Sequence, residues 1–208
     1  MAAGVVVCGG GSTRFGDADK VCAELDGRPL VRHVADRIAP VVEELVVSCR
    51  APQVDCIEAA LEGYELPVTY VFDAEADAGP LHGIKRGLSA TDAEYTVVVA
   101  CDMPFVDTEF LATLFERAQD HEVAIPRQGE GKWYQPLQAV YRVEPMLEAI
   151  EAAFEENVSR PIKPALALDH VTVEGADLEA VASDHTFFNV NTREDLERAE
   201  NLLAGEKN

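Results

Sequence analysis

The residues with the clearest chemical potential lie in a glycine-rich segment after the first apolar run of the chain. It reads Val7-Cys8-Gly9-Gly10-Gly11-Ser12-Thr13-Arg14-Phe15-Gly16-Asp17-Ala18-Asp19-Lys20. Glycines let backbone N–H groups close around phosphate oxygens, and Arg14 and Lys20 bring positive charge to the same loop. The segment lacks the third glycine of a dinucleotide fingerprint and the Lys-Ser/Thr pair of a Walker A loop. We therefore predict a phosphate-binding loop of another kind.

A second candidate is the carboxylate of Asp102, which follows the most apolar predicted strand. In an open α/β sheet, ligands bind at the carboxyl ends of the strands, so this side chain should face the crevice. One or two carboxylates together with substrate phosphates are the usual ligands of Mg²⁺. Asp102 could instead cap the next helix, but Asp107 or Thr108 is better placed for that role. We predict that Asp102 binds Mg²⁺.

A third segment contains Asp73 and the turn Gly79-Pro80-Leu81-His82-Gly83. A Gly-Pro turn that opens a helix presents N–H groups to an anion or to a base edge, and Asp73 ends a strand on the same side. Common loops share this pattern, so a purely structural role stays open.

The fourth segment, Phe188-Asn189-Val190-Asn191-Thr192, precedes the last predicted helix. Thr192 with Asp195 resembles a capping box in which Asp replaces Glu, and this explains both residues. The capping box does not explain Asn189 and Asn191. These two side chains should point the same way, because they stand two positions apart in an extended segment.

The elements that must position these residues alternate between strands and helices. Near-continuous apolar runs predict strands at 4–8, 45–49, 68–72, 95–101 and 123–125, and helical spacing predicts helices at 29–39, 53–62, 81–90 and 107–119. We expect a further strand at 137–141 and helices at 145–155 and 192–204, while 157–186 stays unassigned. The pattern predicts one α/β domain over residues 1–208, with three layers and a mostly parallel sheet covered by helices on both faces.

The charge balance is strongly acidic, with 38 acidic residues against 17 basic ones and a net charge of −21. This excludes nucleic acid and anionic membranes as partners. It fits a halophilic cytoplasm, where salt screens self-repulsion, although an ordinary acidic protein is the alternative. In such a chain, any cations that handle an anionic substrate must be concentrated at the site.

The chain shows no signal peptide and no apolar run of about 20 residues, so we expect a cytoplasmic protein. The five cysteines are odd in number and show no CxxC pair. We expect buried thiols rather than disulfides or zinc ligands. The five histidines show no metal-ligand spacing and are expected on the surface or in packing.

Taken in order, these motifs resemble the molybdenum cofactor guanylyltransferase family. The resemblance runs from about residue 4 to residue 200 and is carried by the glycine-rich segment with Lys20, Gly-Pro-Leu-x-Gly, Cys-Asp-Met-Pro, Gln135-Pro136-Leu137 and Asn-Val-Asn-Thr. It implies a Rossmann-like fold of nucleotide-diphospho-sugar transferase type, and transfer of GMP from GTP to molybdopterin with release of pyrophosphate.

The resemblance also implies roles for individual residues. Arg14 and Lys20 would hold the triphosphate, Asp102 would bind Mg²⁺, and Asn189 and Asn191 would face the acceptor. The nucleotide-binding set would be Val7, Cys8, Gly9, Gly10, Lys20, Ser48, Asp73, Gly79, Pro80, Leu81 and Asp102. Cys8 replaces the usual alanine, Ser48 stands where asparagine is frequent, and the stretches 127–134 and 159–162 match the family poorly.

Other functions stay open on the sequence alone. Within the same class, the acceptor could be adenosylcobinamide phosphate or a phosphosugar, or the nucleotide could be CTP. Relatives that use CTP tend to have alanine at the position of Gly9, which favours guanine here. A nucleotide-binding module without turnover is a further alternative, but the presence of Arg14, Lys20 and Asp102 together argues against it.

Overall fold

A computed structural model describes residues 1–8, 20–72, 79–129 and 133–206. Its strands and helices, in chain order, are β1 (Ala2–Val7), β2 (Glu24–Leu25), β3 (Arg28–Pro29), α1 (Leu30–Ile38), β4 (Glu44–Cys49), α2 (Val54–Ala60), β5 (Val68–Phe72), α3 (Pro80–Leu88), β6 (Tyr95–Ala100), α4 (Thr108–Ala118), β7 (Val123–Gln128), β8 (Trp133–Tyr134), β9 (Gln138–Arg142), α5 (Val143–Glu155), α6 (Ile162–Ala167), β10 (His170–Val173), α7 (Ala176–Glu179) and α8 (Arg193–Glu206). None of the helices in these ranges is both long and apolar enough to cross a membrane.

The main sheet has the strand order β10-β7-β9-β6-β1-β4-β5. Strand β8 pairs with the last two residues of β7, Arg127 and Gln128. The neighbours of β1 run parallel to it, whereas β9 runs antiparallel to both β6 and β7. The prediction of a mostly parallel sheet is confirmed. Each predicted strand and helix is present, with ends shifted by a few residues at most.

The central strands are buried on both faces, as their unbroken apolar runs predict. In β1, Val6 packs into a core with α1 and α4, while Val5 and Val7 point to the opposite face and pack with α3 and α5. Burying one valine side chain contributes about 1.5–3 kcal/mol to folding. The helices therefore cover both faces, and polar groups gather at the carboxyl edge of the sheet.

Helix α3 lies unusually close to β1 because two glycines face the strand. A Cβ atom at Gly83 would stand 2.9 Å from a Val7 methyl carbon, and one at Gly87 would stand 2.3 Å from a Val5 methyl carbon. Neither position has room for a side chain. The last glycine of the Gly-Pro-Leu-x-Gly motif therefore sets the position of the first turn of α3.

A third, smaller core joins the start of the chain to its end. Leu25 and Leu30, in and after the β2–β3 hairpin, pack with Phe105, with Val190 and with Ala199 of α8. The hairpin turns at Asp26 and Gly27, both with positive φ, which is the backbone shape of a tight two-residue hairpin. This core holds the segment before α8 against the turn that follows β6.

The cysteine prediction is correct for three residues and wrong for two. Cys8, Cys49 and Cys101 are buried thiols that form no disulfide. Cys22 and Cys56 are joined in a disulfide, with Cα atoms 6.2 Å apart. The prediction rested on local spacing, whereas this pair is brought together by the packing of α2 against the turn at Lys20–Cys22.

Candidate functional site

Three adjacent parallel strands deliver their ends to one edge of the sheet. Val7 at the end of β1 lies opposite Ser48 of β4 on one side and Ala100 of β6 on the other. The edge is closed by backbone hydrogen bonds, in which Cys8 N donates to Ser48 O at 2.7 Å and Cys101 N donates to Val7 O at 3.1 Å. Asp102 therefore follows β6 at the same edge as the start of the glycine-rich loop.

Lys20, Asp102 and Asn191 meet at this edge from three distant parts of the chain. The Lys20 ammonium lies 2.6 Å from Asp102 Oδ2 and donates to Asn191 Oδ1 at 3.1 Å. The side chains of Lys20 and Asp102 are largely buried, with 19% and 14% of their areas exposed. The structure thus brings together three residues that the sequence assigned to phosphate, metal and acceptor.

The backbone of Asp102 is also tied to the segment before α8. Val190 N donates to Asp102 O at 2.9 Å, so the position of Asn191 relative to Asp102 is set by a main-chain contact. Asn189 behaves differently, because its amide donates to Phe187 O at 3.0 Å. Of the two asparagines, only Asn191 joins the Lys20 contact, and a contact of Asn189 with the acceptor stays a prediction.

Asp102 does not cap the following helix, as predicted. Asp107 is the N-cap of α4, and its side chain accepts a hydrogen bond from Glu109 N. Asp102 Oδ2 contacts Lys20, while the buried Oδ1 has no hydrogen-bond partner among the described residues. Because leaving a carboxylate oxygen unsatisfied is costly, this oxygen is suited to a ligand that supplies positive charge.

The donor set fits a metal ion that arrives with a substrate. Within the described ranges, no point is surrounded by three or more His, Cys, Asp or Glu side chains. A site with one carboxylate is typical of Mg²⁺, which keeps several waters and takes its other ligands from substrate phosphates. A metal that needs a complete protein cage does not match this part of the chain.

The start of α3 forms a second wall of the crevice. Gly79 is its N-cap with φ 88°, Pro80 is the first helical residue, and no described side chain caps the turn. The amides of a first helical turn bind anions well, because the helix dipole adds to their charge. Leu81 is fully buried, so only its backbone is placed to reach a nucleotide.

Ser48, Val7 and Cys8 are also buried, which limits how they can act. The Ser48 hydroxyl is fully buried and has no hydrogen-bond partner among the described residues. It lies beneath α3, since a Cβ at Gly83 would be 3.4 Å from it. Val7 and Cys8 expose 3% and 4% of their area, so their contacts with a ligand would be through backbone, as predicted.

Four predicted site residues, Gly9, Gly10, Arg14 and Asp73, lie outside the described residues. Their proposed contacts with the nucleotide stay predictions.

The capping box at α8 is confirmed. Thr192 N donates to Asp195 Oδ2, and Asp195 N donates to Thr192 Oγ1. Burial alone would raise the pKa of Asp195, but hydrogen bonds from the Thr192 side chain and from the Asn191 and Thr192 amides outweigh it and lower that pKa. The charged box fixes the chain directly after Asn191.

Two buried glutamines support the site and were not predicted. Gln138, in β9, donates to Thr186 O at 2.7 Å, and both residues are fully buried. Gln53 donates to Cys8 O at 3.3 Å and accepts from Arg50 N. The sequence does show that Gln138 is a polar residue inside an apolar strand. It does not show that its partner is Thr186, which is 48 residues away.

A cleft of about 800 Å³ opens at the carboxyl ends of β7 and β10. One wall is the turn Ser183–Phe187, which leads directly into Asn189 and Asn191. The lining also contains Arg127, which is paired with Glu174. The cleft therefore presents both hydrogen-bond acceptors and a cation, and its lining ends two residues before Asn189.

Comparison with known proteins identifies the relatives of this chain. Residues 4–174 match the MobA-like NTP transferase domain. A probable molybdenum cofactor guanylyltransferase of Natronomonas pharaonis is 48% identical over 201 residues, covering 97% of this chain and 98% of the relative. The molybdenum cofactor guanylyltransferase of Pseudomonas putida is 36% identical over 197 residues, covering 93% and 94%.

Solved structures agree with this comparison. The molybdopterin-guanine dinucleotide biosynthesis protein A of Archaeoglobus fulgidus superposes with a TM-score of 0.78 at 27% identity, covering 99% of this chain and 100% of that one. The 4-diphosphocytidyl-2C-methyl-D-erythritol synthase of Anaerococcus prevotii gives a TM-score of 0.77 at 15% identity, covering 98% and 96%. The second likeness shows a shared fold alone.

Proposed function

Because this chain belongs to the MobA-like NTP transferase family, we propose that it transfers GMP from GTP to the phosphate of molybdopterin and releases pyrophosphate. The observation that carries the proposal is the meeting of Lys20, Asp102 and Asn191 at the carboxyl edge of the sheet. The residues that we assign to the nucleotide and to the acceptor are in direct contact there, as a transfer between two bound phosphates requires.

In the proposed reaction, an oxygen of the acceptor phosphate attacks the α-phosphorus of GTP and the bond to the β-phosphate oxygen breaks. The protein forms no covalent bond, so its task is to position the two phosphates and to balance their charge. The acceptor oxygen is already ionised, so no general base is needed.

Lys20 would hold the triphosphate together with Arg14 and the amides of the glycine-rich loop. Its ammonium is now divided between Asp102 and Asn191. It can turn from these oxygens to phosphate oxygens while staying at the same edge. Charge-assisted contacts of this kind are about twice as strong as neutral hydrogen bonds.

Asp102 would hold Mg²⁺ through its buried Oδ1, which has no described hydrogen-bond partner. Bound there, the ion would supply positive charge to the phosphate oxygens. The amide of Asn191 would orient the acceptor phosphate, and the guanosine would lie between the end of β4 and the start of α3.

The rest of the acceptor would occupy the cleft beside residues 183–187. A pterin ring carries several N–H donors, which match the carboxylates of Glu174, Glu179 and Asp184 in its lining. The acceptor phosphate would then extend toward Asn191. We also propose that the protein works in the cytoplasm without nucleic acid or membrane partners, given its net charge of −21.

The decisive experiment incubates the protein with Mg²⁺, molybdopterin and one NTP at a time, and identifies the product by mass spectrometry. We expect a guanine dinucleotide and pyrophosphate with GTP, and no product with ATP, UTP or CTP. A cytosine product would contradict the choice of nucleotide. Pyrophosphate release that needs a different phosphorylated acceptor would contradict the choice of acceptor.

A further inference from the structure

We propose that Cys22 and Cys56 form a reversible thiol–disulfide site that controls how firmly the turn carrying Lys20 is held. The proposal rests on the proposed function for its nucleotide readout. The two cysteines are partly exposed and bonded to each other, whereas Cys8, Cys49 and Cys101 are buried and form no disulfide. Small thiol reagents can therefore reach this pair much more readily than the other three.

The bond lies at one flank of the glycine-rich loop. Cys22 belongs to the 3-10 turn Lys20–Cys22, so it is two residues from the lysine that contacts Asp102. Cys56 lies on α2, with a sequence separation of 34 from Cys22. The disulfide thus anchors the turn that carries Lys20 to a helix outside the crevice.

The same helix also holds the other flank of the loop. Gln53, directly before α2, donates its side-chain amide to Cys8 O at 3.3 Å. The Cys56 sulfur lies 3.2 Å from Gln53 O, so the two contacts with the loop flanks are adjacent. The short segment from Gln53 to Cys56 therefore holds both Cys8 and the turn of Lys20. These are the residues on either side of 9–19.

Opening the disulfide removes the only covalent part of this anchor. The turn keeps the buried side chain of Val21 and the hydrogen bond from Ala23 N to Lys20 O. The reduced protein should therefore fold, but with a turn that is less firmly placed. Since Lys20 must meet phosphate oxygens at a fixed distance from Asp102, nucleotide affinity should fall when the bond opens.

The chemistry is thiol–disulfide exchange with a low-molecular-weight disulfide. One cysteine thiolate attacks the small disulfide, forms a mixed disulfide and expels one small thiol. The second thiolate then attacks the protein sulfur of the mixed disulfide and expels the other small thiol. The two protein thiols lose two electrons, the small disulfide gains them, and the two thiol protons end on the two released thiols. Disulfides inside cells are usually transient or redox-sensing, which suits such a site.

The test compares the full-length protein equilibrated in oxidised and in reduced glutathione. Thiols titrated after denaturation should number three in the oxidised protein and five in the reduced one. Reduction should lower the thermal midpoint by roughly 5–15 °C. It should also weaken binding of GTP and of inorganic triphosphate by roughly three- to tenfold, measured by calorimetry.

The matched control is the double variant Cys22→Ser/Cys56→Ser, which keeps the three buried thiols. It should resemble the reduced protein in both buffers. Equal affinities for inorganic triphosphate in the two states of the unaltered protein, or five titratable thiols under oxidising conditions, would overturn the proposal. If inorganic triphosphate binds with the expected redox dependence but GTP does not bind, the proposed function fails while the switch stands.

Discussion

The two sides of the crevice are built in different ways. Around β1, β4 and α3, positions are set by the backbone, through strand register and through the close approach that Gly83 allows. Around residues 183–191, a small hydrophobic core at Val190 is supplemented by single hydrogen bonds between distant segments, such as Gln138 to Thr186. The first wall should therefore be disturbed by a larger side chain at a packed position. The second should be disturbed by the loss of a single hydrogen-bonding side chain.

The largest effect is expected at Asp102, where the two walls meet. Asp102→Ala removes the carboxylate with the open Oδ1, so turnover should fall by roughly 100- to 1000-fold. The fold should survive because the residue lies in a turn after β6. Steady-state guanylyl transfer at saturating Mg²⁺ is the measurement.

Asp107→Ala is the control, since Asp107 caps α4 outside the crevice. It should lower the free energy of unfolding by about 1 kcal/mol and leave kcat unchanged. Near-normal turnover in Asp102→Ala would contradict the metal assignment.

The next effect is expected at Lys20. Lys20→Ala removes a charge-assisted contact worth roughly 1.5–3 kcal/mol, so GTP should bind about 10- to 150-fold more weakly. Because Lys20 also contacts Asn191, the KM for the acceptor should rise as well. Lys85→Ala is the comparison, because that lysine pairs with Glu151 outside the crevice, and it should leave both constants unchanged. An unchanged KM for the acceptor would contradict a role of Lys20 in acceptor binding.

Gln138→Met tests the wall made of single hydrogen bonds. The change keeps the side-chain volume but leaves the buried Thr186 carbonyl without its donor, at a cost of about 1–3 kcal/mol. We expect roughly tenfold higher acceptor KM with GTP affinity nearly unchanged. A larger effect on GTP binding than on the acceptor would mean that the two walls are not separable.

Gly83→Ala tests the wall set by the backbone. The added methyl group would stand 2.9 Å from a Val7 methyl carbon, so α3 must move outward. Overpacking of this kind costs about 1–3 kcal/mol, and GTP affinity should fall about fivefold while the acceptor KM holds. Gly205→Ala, on α8 with open space around it, should change neither constant. Unchanged GTP binding in Gly83→Ala would show that the position of α3 is not critical.

Added salt should produce the smallest effect of the five changes, and it should act equally on GTP and on the acceptor. The net charge of −21 repels GTP and acceptor alike at long range. Raising KCl from 0.1 to 1 M shortens the Debye length from about 10 Å to about 3 Å. Thermal midpoint and transfer rate should both rise, the rate by a few-fold. Maximal values at the lowest salt would contradict the halophilic interpretation.

The sequence was most informative where local pattern and structure coincide. The strands around Val7, Ser48 and Ala100 were predictable because burial on both faces requires continuous apolar runs. The Gly-Pro start of α3 and the Asp107 cap were predictable because their geometry is local. Asp102 was placed at the correct edge because it follows such a strand.

The rest depended on contacts that local pattern does not encode. The segment 157–186 contains α6, β10 and α7, which span only 6, 4 and 4 residues and are too short for a clear period. The Cys22–Cys56 bond joins residues with a sequence separation of 34, and the Gln138 contact with Thr186 spans 48 residues. These pairs follow from packing, and so they appear only in the folded chain.

The bond from Val190 N to Asp102 O has a consequence for biosynthesis. A ribosome makes the chain from its N-terminus, and domains commonly begin to fold during synthesis. The strands β1, β4 and β6 can associate while the last part of the chain is still inside the ribosome. The Val190 bond and the Lys20 contact with Asn191 cannot form until those two residues emerge, 88 and 89 positions after Asp102. A nascent chain can therefore form the wall made by β1, β4 and α3 well before it can form the contact of Lys20 with Asn191.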